Sequence, residues 1–343
     1  MNSQTKMAII AIAIVIPLAS IAVYGTDSAK ISETVDNSKL NVISSFYPLH
    51  EFSQNIGQDK IDAILLIPIG VEPHDWEPTI KDVQQMQSSD LIIINGIGFE
   101  NWVDKLEENN FTGTIVDTSN GILIETLEEE HEEHEEHEEH EEHEEHEEHE
   151  EHEEHEEHEE HEEHEEEKTT GEHDHSLGDP HIWLNPVLAK IQVQNIANAF
   201  SNSDPENRDF YQTNAAAYIK QLDSLDSKIR TELSSCTHDF IAFHDAFSYF
   251  ADEYGLTQHT IISSTDPHGD VSARTLEKVI SEARELNIKI IFSEESVNQK
   301  TSEIIANEIG GKVLILSPLE VVEDGTYISK MSDNLENLKE ALC

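Results

Sequence analysis

A forty-residue tract in the middle of the chain most constrains what this chain can fold into. From Glu128 to Glu167 the triplet His-Glu-Glu repeats, with twelve histidines between His131 and His164 and no apolar residue. A segment with nothing to bury cannot form a packed core, so we predict that residues 128–176 are a disordered insertion and that the flanking segments build the fold. Because imidazole and carboxylate both bind borderline metals, the tract also predicts the collection of transition-metal ions.

The charge of the chain excludes one class of partner. The 343 residues carry a formal net charge of −53, and removing the 28 Glu of the tract still leaves −25. So acidic a protein repels nucleic acid and attracts cations. We therefore expect a metal ion rather than DNA or RNA as the ligand.

The N-terminus indicates export. An apolar run follows Lys6, and we expect residues 1–25 to be a signal peptide or an N-terminal membrane anchor, followed by a polar linker at 26–39. The protein is then periplasmic or held at the cell surface. In that compartment Cys236 and Cys343 either form a disulfide or remain two free thiols.

Strand-like and helix-like segments alternate on both sides of the tract. Continuous apolar runs such as Leu91–Asn95 are typical of buried parallel strands, and segments with helical spacing separate them. Residues 40–203 and 236–343 each contain four such strands, while 204–235 lacks glycine and predicts one long helix. We therefore predict an α/β protein with two lobes, each a four-stranded, mainly parallel sheet flanked by helices, joined by one long rigid helix. Ligands of such sheets bind at the carboxyl ends of the strands, which places a site in the cleft between the lobes.

Three histidines outside the tract lie where such a fold builds its sites. His74 follows the second predicted strand, His181 precedes a helix and His244 ends a strand. Proline precedes two of them directly and restricts the backbone, which helps to preorganise a ligand. A single histidine is more often a surface or core residue, but three in matching contexts predict one metal site. Three neutral imidazoles leave one position of a tetrahedral Zn²⁺ for water or a carboxylate.

The motifs around these histidines resemble a known family. GVEPHDWEP, DPHIWLNP and FHDAFSYFADEYG are similar to the motifs of zinc-binding solute receptors of metal ABC importers, which also carry a His-rich acidic insertion between the first two motifs. The resemblance runs from about Leu40 to the C-terminus, and Phe292–Ser296 also resembles the family. It implies two α/β lobes with a metal between them, His74, His181 and His244 as ligands, and an ABC permease in the membrane as the partner.

The resemblance leaves the fourth ligand open. Glu320 stands about where manganese-type relatives have a carboxylate, whereas some zinc-type relatives use water instead. Manganese-type relatives often have Glu at the third position, so His244 favours Zn²⁺ over Mn²⁺ as the transported ion. A ligating histidine usually donates its second N–H to a carboxylate or carbonyl. Four acids lie near the three histidines in sequence: Glu72, Asp75, Asp179 and Asp245.

These observations predict a monomeric, non-enzymatic receptor that captures Zn²⁺ with high affinity outside the cytoplasm and delivers it to the permease. An Mn²⁺ receptor of the same family is one alternative. A zinc hydrolase or lyase with three histidines is another, although no HExxH, GxSxG or P-loop motif occurs. A third alternative is a metal buffer or adhesin that acts through the tract alone.

Overall fold

The structure is a computed structural model, and it describes residues 39–108, 111–123, 178–267, 271–322 and 324–343. The predicted export segment at 1–25 and the disordered insertion at 128–176 lie outside the described residues, as does the linker at 26–39 except for Lys39. No helix among the described residues is long and apolar enough to cross a membrane.

The N-terminal half of the described chain forms a parallel sheet covered by helices. Its four strands are β1 (Leu40–Ser44), β2 (Ile61–Leu65), β3 (Leu91–Ile94) and β4 (Thr114–Asp117). They lie in the order β2-β1-β3-β4. The helices of this half are α1 (Tyr47–Gly57), α2 (Ile80–Met86) and α3 (Val103–Glu108). All four residues of β3 are buried, as its continuous apolar sequence predicts for a central parallel strand.

The C-terminal half repeats the same architecture. Its strands are β5 (Asp239–Ala242), β6 (Thr257–Thr260), β7 (Ile290–Ser293) and β8 (Lys312–Ile315). Their order, β6-β5-β7-β8, matches that of the first sheet. The helices of this half are α6 (Ser248–Tyr254), α7 (Ala273–Glu285), α8 (Lys300–Ile309) and α9 (Tyr327–Leu342). Every strand pair in both sheets is parallel, so the predicted fold class is confirmed.

Two helices, α4 (Pro186–Ser203) and α5 (Arg208–Leu233), connect the sheets. The predicted helix at 204–235 begins later than expected, because Pro205–Asn207 forms a short 3₁₀ turn. The Asp204 carboxylate accepts hydrogen bonds from Asn207 Nδ2 and the Tyr211 hydroxyl within that bend. Helix α5 is about 39 Å long at 1.5 Å per residue, and it packs against α1 of one half and α9 of the other.

The core extends through both halves. One buried apolar cluster includes Val42 of β1, Leu222 of α5 and Phe292 of β7. Cys236 and Cys343 form a disulfide that ties the C-terminus to the segment before β5, which settles the alternative left open by the sequence. Closing so long a loop restricts the unfolded chain and stabilises the fold by about 2–4 kcal/mol.

Candidate metal centre

The predicted histidines converge at the carboxyl ends of the strands. His74 lies on the loop between β2 and α2, His181 lies before α4, and His244 lies two residues after β5. Glu320 lies beyond β8 on the segment that leads to α9. One ligand atom from each of these four residues lies within 4.8 Å of the other three. The structure therefore brings together the four residues that the sequence analysis named as candidate ligands.

The spacing of these atoms suits a small tetrahedral ion. His181 Nε2 lies 3.3 Å from His244 Nε2 and 3.2 Å from Glu320 Oε1. His74 Nε2 also lies 3.2 Å from Glu320 Oε1. A tetrahedral Zn²⁺ with bonds of about 2.0–2.1 Å needs ligand atoms roughly 3.3–3.4 Å apart. Three of the six distances among the four ligand atoms therefore lie near that value, and the remaining ones are no longer than 4.8 Å.

Two of the three imidazoles are held by buried carboxylates. Asp179 Oδ1 accepts hydrogen bonds from His181 Nδ1 at 2.7 Å and from the His181 backbone N–H at 3.0 Å. Glu294 Oε1 accepts from His244 Nδ1 at 2.7 Å and from the His244 backbone N–H at 3.3 Å. A proton fixed on Nδ1 makes Nε2 the nitrogen of each ring that can bind a metal. Both rings therefore present Nε2 to the centre of the cluster.

Asp179 was among the candidate partners, but Glu294 was not predicted. It directly follows β7, which lies beside β5 in the second sheet, so the carboxyl ends of the two strands bring it to His244. Its place in the resemblance at Phe292–Ser296 was the available signal. Asp245 is wrong as a partner for a histidine, because its carboxylate accepts from Ser248 and Gln258 instead.

His74 is held differently. Its backbone N–H donates to Glu72 Oε1 at 3.2 Å, so Glu72 orders the loop rather than the imidazole. Its ring meets the edge of Phe99, with 5.0 Å between the ring centroids. The side chain is 10% exposed, whereas those of His181, His244 and Glu320 are fully buried.

A buried polar network supports the loop that carries His181. Asn95, at the end of β3, donates to the Pro180 carbonyl, and the Tyr249 hydroxyl donates to the Asp179 carbonyl. Gln192 of α4 donates to the Asn95 side chain. Because buried polar groups of this kind are costly to leave unpaired, the network fixes the loop in one position.

The charges in the cluster depend on one another. Burial alone would lower the pKa of His181, but the carboxylates of Asp179 and Glu320 outweigh burial and raise it to about 10. Burial would raise the pKa of Glu320, but His74, His181 and His244 hold it well below its usual range. Without metal, a proton on His181 is therefore stabilised between two carboxylates. A metal ion must displace that proton.

Comparisons with known proteins point to a transport family. The family model described as "Zinc-uptake complex component A periplasmic" matches residues 42–341. The high-affinity zinc uptake system protein ZnuA of Bacillus subtilis is 38% identical over 332 residues, which are 94% of this chain and 93% of that protein. The zinc-binding lipoprotein AdcA of Streptococcus pneumoniae is 32% identical over 89% of this chain, but the match spans only 56% of AdcA.

A solved structure shares the architecture. A deletion mutant of ZnuA with zinc bound superposes with a TM-score of 0.68 at 27% sequence identity. The match covers 89% of this chain and 98% of that chain. The two chains therefore share one fold over most of their length.

Proposed function

Because this chain belongs to the family of periplasmic component A proteins of zinc-uptake complexes, we propose that it captures Zn²⁺ with high affinity outside the cytoplasm and delivers the ion to an ABC permease. The single observation that supports this most is the buried cluster of three imidazoles and one carboxylate. Two of the imidazoles are already oriented by a carboxylate at Nδ1, which leaves Nε2 as the atom that faces the other ligands. Such preorganisation raises affinity because little ordering remains to be done when the ion arrives.

The proposed ligands are His74, His181, His244 and Glu320. Glu320 is preferred to water as the fourth ligand, because its Oε1 already lies 3.2 Å from two of the imidazole nitrogens. Its second oxygen is buried and has no hydrogen-bond partner among the described residues. A buried carboxylate oxygen without a hydrogen-bond partner is available to a cation.

The ligand set favours Zn²⁺ over Mn²⁺. Imidazole nitrogen suits Zn²⁺, whereas Mn²⁺ prefers oxygen ligands and a higher coordination number. Three nitrogens and one oxygen offer Mn²⁺ only one preferred ligand. Mn²⁺ transport stays the less favoured alternative.

The burial of the cluster supports a receptor rather than a hydrolase or lyase. A catalytic zinc keeps an open position for water and needs access for its substrate. Here only His74 keeps any exposure, at 10% of its side chain. We propose that a transported ion binds in the cleft between the N-terminal lobe (40–203) and the C-terminal lobe (236–343), which the segment 204–235 joins. The tract from Glu128 to Glu167 would collect ions weakly for this site.

A titration tests the assignment. Deleting residues 128–167 should leave one tight Zn²⁺ site, which calorimetry measures. In competition with Mn²⁺, this site should bind Zn²⁺ more tightly. The matched variant combines the deletion with His74→Ala, His181→Ala and His244→Ala and should lose the tight site. If the deletion alone abolishes tight binding, or if the triple variant of the full chain binds as before, the tract is the metal site and the proposal fails.

Turnover of an ester or hydration of carbon dioxide by the zinc-loaded deletion variant would instead support the enzymatic alternative. The proposal predicts rates no higher than those of free Zn²⁺ in both assays.

A further inference from the structure

The segment that carries Glu320 has an unusual backbone. Leu319 is fully buried and has a φ of 61°. Residues other than glycine rarely adopt this left-handed backbone conformation. Local preference therefore does not hold this turn, and contacts with the rest of the protein must do so. Those contacts decide whether the adjacent carboxylate reaches the three imidazoles.

One residue from the other half of the chain contacts this segment at two points. The Trp183 indole Nε1–H donates to the Pro318 carbonyl at 2.7 Å. The Trp183 carbonyl accepts from the Tyr327 hydroxyl at 2.6 Å. Trp183 is fully buried and lies two residues after His181, so both bonds form in the water-excluded region beside the cluster.

The same indole also packs against the rings of the site. Its ring lies 5.0 Å from that of His181 and 5.1 Å from that of Phe99, centroid to centroid. Phe99 in turn contacts His74. Trp183 therefore touches one ligand directly, a second through Phe99, and the backbone two residues before Glu320.

Further bonds hold the far end of the segment to the N-terminal half. Glu51 Oε2 of α1 accepts from the Tyr327 backbone N–H at 2.6 Å. The Tyr47 hydroxyl, also on α1, lies 3.0 Å from the Gly325 carbonyl. Within its own half, Asn334 brackets the backbone of Ser317. The segment that carries Glu320 is thus anchored by residues of both halves.

We propose that Trp183 is a positioning residue for Glu320: its indole N–H holds the left-handed turn at Leu319 in place and so fixes the carboxylate as the fourth ligand of the ion. This inference rests on the proposed function. It also makes Trp183 a determinant of metal choice, because the carboxylate is the one ligand in the set that Mn²⁺ prefers.

The test is a double-mutant cycle on the full chain. Trp183→Phe keeps an aromatic ring and removes the N–H donor. Affinity of the tightest site is measured by competition with a chelator strong enough to strip the tract. Trp183→Phe should lower Zn²⁺ affinity about tenfold or more, the usual effect of losing a partner that orients a ligand, and should lower Mn²⁺ affinity further. In the Glu320→Ala background the same substitution should change affinity by less than about twofold, because the positioned group is already gone.

Tyr211→Phe is the control, since Tyr211 is also buried and also loses one hydrogen-bond donor, to Asp204 before α5, but it contacts none of the four candidate ligands among the described residues. It should leave the affinity for both metals unchanged. Tyr327→Phe removes the second bond to Trp183 while keeping the indole, and should show the same dependence on Glu320 with a smaller loss. It takes the place of Trp183→Phe if that variant does not fold.

Equal losses with and without Glu320, or no loss at all, would overturn the inference, because Trp183 would then be merely a core residue. Failure of the proposed function looks different. In that case the unsubstituted chain itself would show no tight Zn²⁺ site under the same chelator competition.

Discussion

His181 and His244 form one side of the candidate metal site and His74 forms the other, and the two sides are built differently. On the first side both rings are fully buried, and each donates Nδ1–H to a buried carboxylate at 2.7 Å. On the second side the ring of His74 stays 10% exposed, and no carboxylate among the described residues accepts from its Nδ1. Its neighbours on the loop include the exposed apolar residues Ile69 and Val71.

From this difference we infer that His181 and His244 hold the ion and that the ion enters past His74. Two rings with fixed orientations present a rigid half-site whose ordering cost was met during folding. The third ring lies on a loop that reaches the surface, so the exposed edge of the cluster is at His74. We therefore expect the first side to set affinity and the second to contribute less.

The largest effect should follow from loss of a ligand on the rigid side. His244→Ala should lower Zn²⁺ affinity by about a thousandfold, because roughly 10–16 kcal/mol is shared among the four ligands of a structural zinc site and Glu294 is also left buried without its partner. The loss of Zn²⁺ affinity in His74→Ala should be at least tenfold smaller than in His244→Ala, because no buried carboxylate loses its hydrogen-bond partner. Competition titration of both variants measures the ratio. Equal losses would remove the distinction between the two sides.

A proton should compete with the ion on the rigid side. His181 has a pKa raised to about 10, chiefly because Asp179 and Glu320 outweigh burial, so below that pH a bound metal must displace its proton. Affinity should fall at least tenfold for each pH unit, or about a hundredfold from pH 7.5 to 5.5. Calorimetry in buffers with different ionisation enthalpies should show at least one proton released for each Zn²⁺. Release of no proton would contradict the assigned protonation of His181.

The same raised pKa of His181 makes the stability of the metal-free protein depend on pH. A group whose pKa is higher in the folded state stabilises fully below its unfolded value of 6.5 and loses that contribution as the pH rises through about 10. The melting temperature of the metal-free protein should therefore decline over this window. The increase in melting temperature caused by Zn²⁺ should grow over the same window, and a constant increase would argue against the linkage.

The buried carboxylates should matter less than the ligands they hold. Asp179→Asn and Glu294→Gln each keep the shape of the side chain but favour the wrong tautomer of the histidine, and each should lower Zn²⁺ affinity by about 10–100-fold. Asp245→Asn is the control, because Asp245 follows His244 in sequence but bonds Ser248 and Gln258. It should bind zinc normally. A comparable loss in the control would mean that general charge, not orientation, explains the effect.

The smallest effect should be on the exposed side. Phe99→Leu removes the ring that contacts His74, and an aromatic contact of this kind contributes about 0.5–1.5 kcal/mol, which corresponds to roughly 2–12-fold in affinity. Phe250→Leu serves as the control, since Phe250 is buried in α6 and its ring packs at a tilt against Tyr254. A loss as large as that of Asp179→Asn would show that His74 is held as firmly as the other two rings.

Local patterns predicted more of the fold than of the site. Each half of the described chain has the four strands predicted for it. Apolar runs such as Leu91–Ile94 lie in buried parallel strands whatever the rest of the chain does. The break at Pro205–Asn207 was missed, since the bend there depends on Asp204 bonding to the side chain of Tyr211. Propensity along the chain does not register such a contact.

In the site, motifs located His74, His181 and His244, and the family resemblance added Glu320. Neither revealed the role of Glu294, which reaches His244 only because β7 lies beside β5 in the sheet. The bond from Trp183 to Pro318 joins residues 135 positions apart. Contacts of this kind follow from strand order and packing, which cannot be predicted from the local patterns of one sequence.

Zinc-edge X-ray absorption of the protein lacking residues 128–167, loaded with one equivalent of Zn²⁺, tests the central claim most directly. The account predicts four ligands at about 2.0–2.1 Å, three of them imidazoles with their characteristic outer-ring scattering and one a carboxylate oxygen. The His244→Ala variant should lose one imidazole from that spectrum. A zinc ion with one or no imidazole ligands, or a spectrum that the substitution leaves unchanged, would contradict the account.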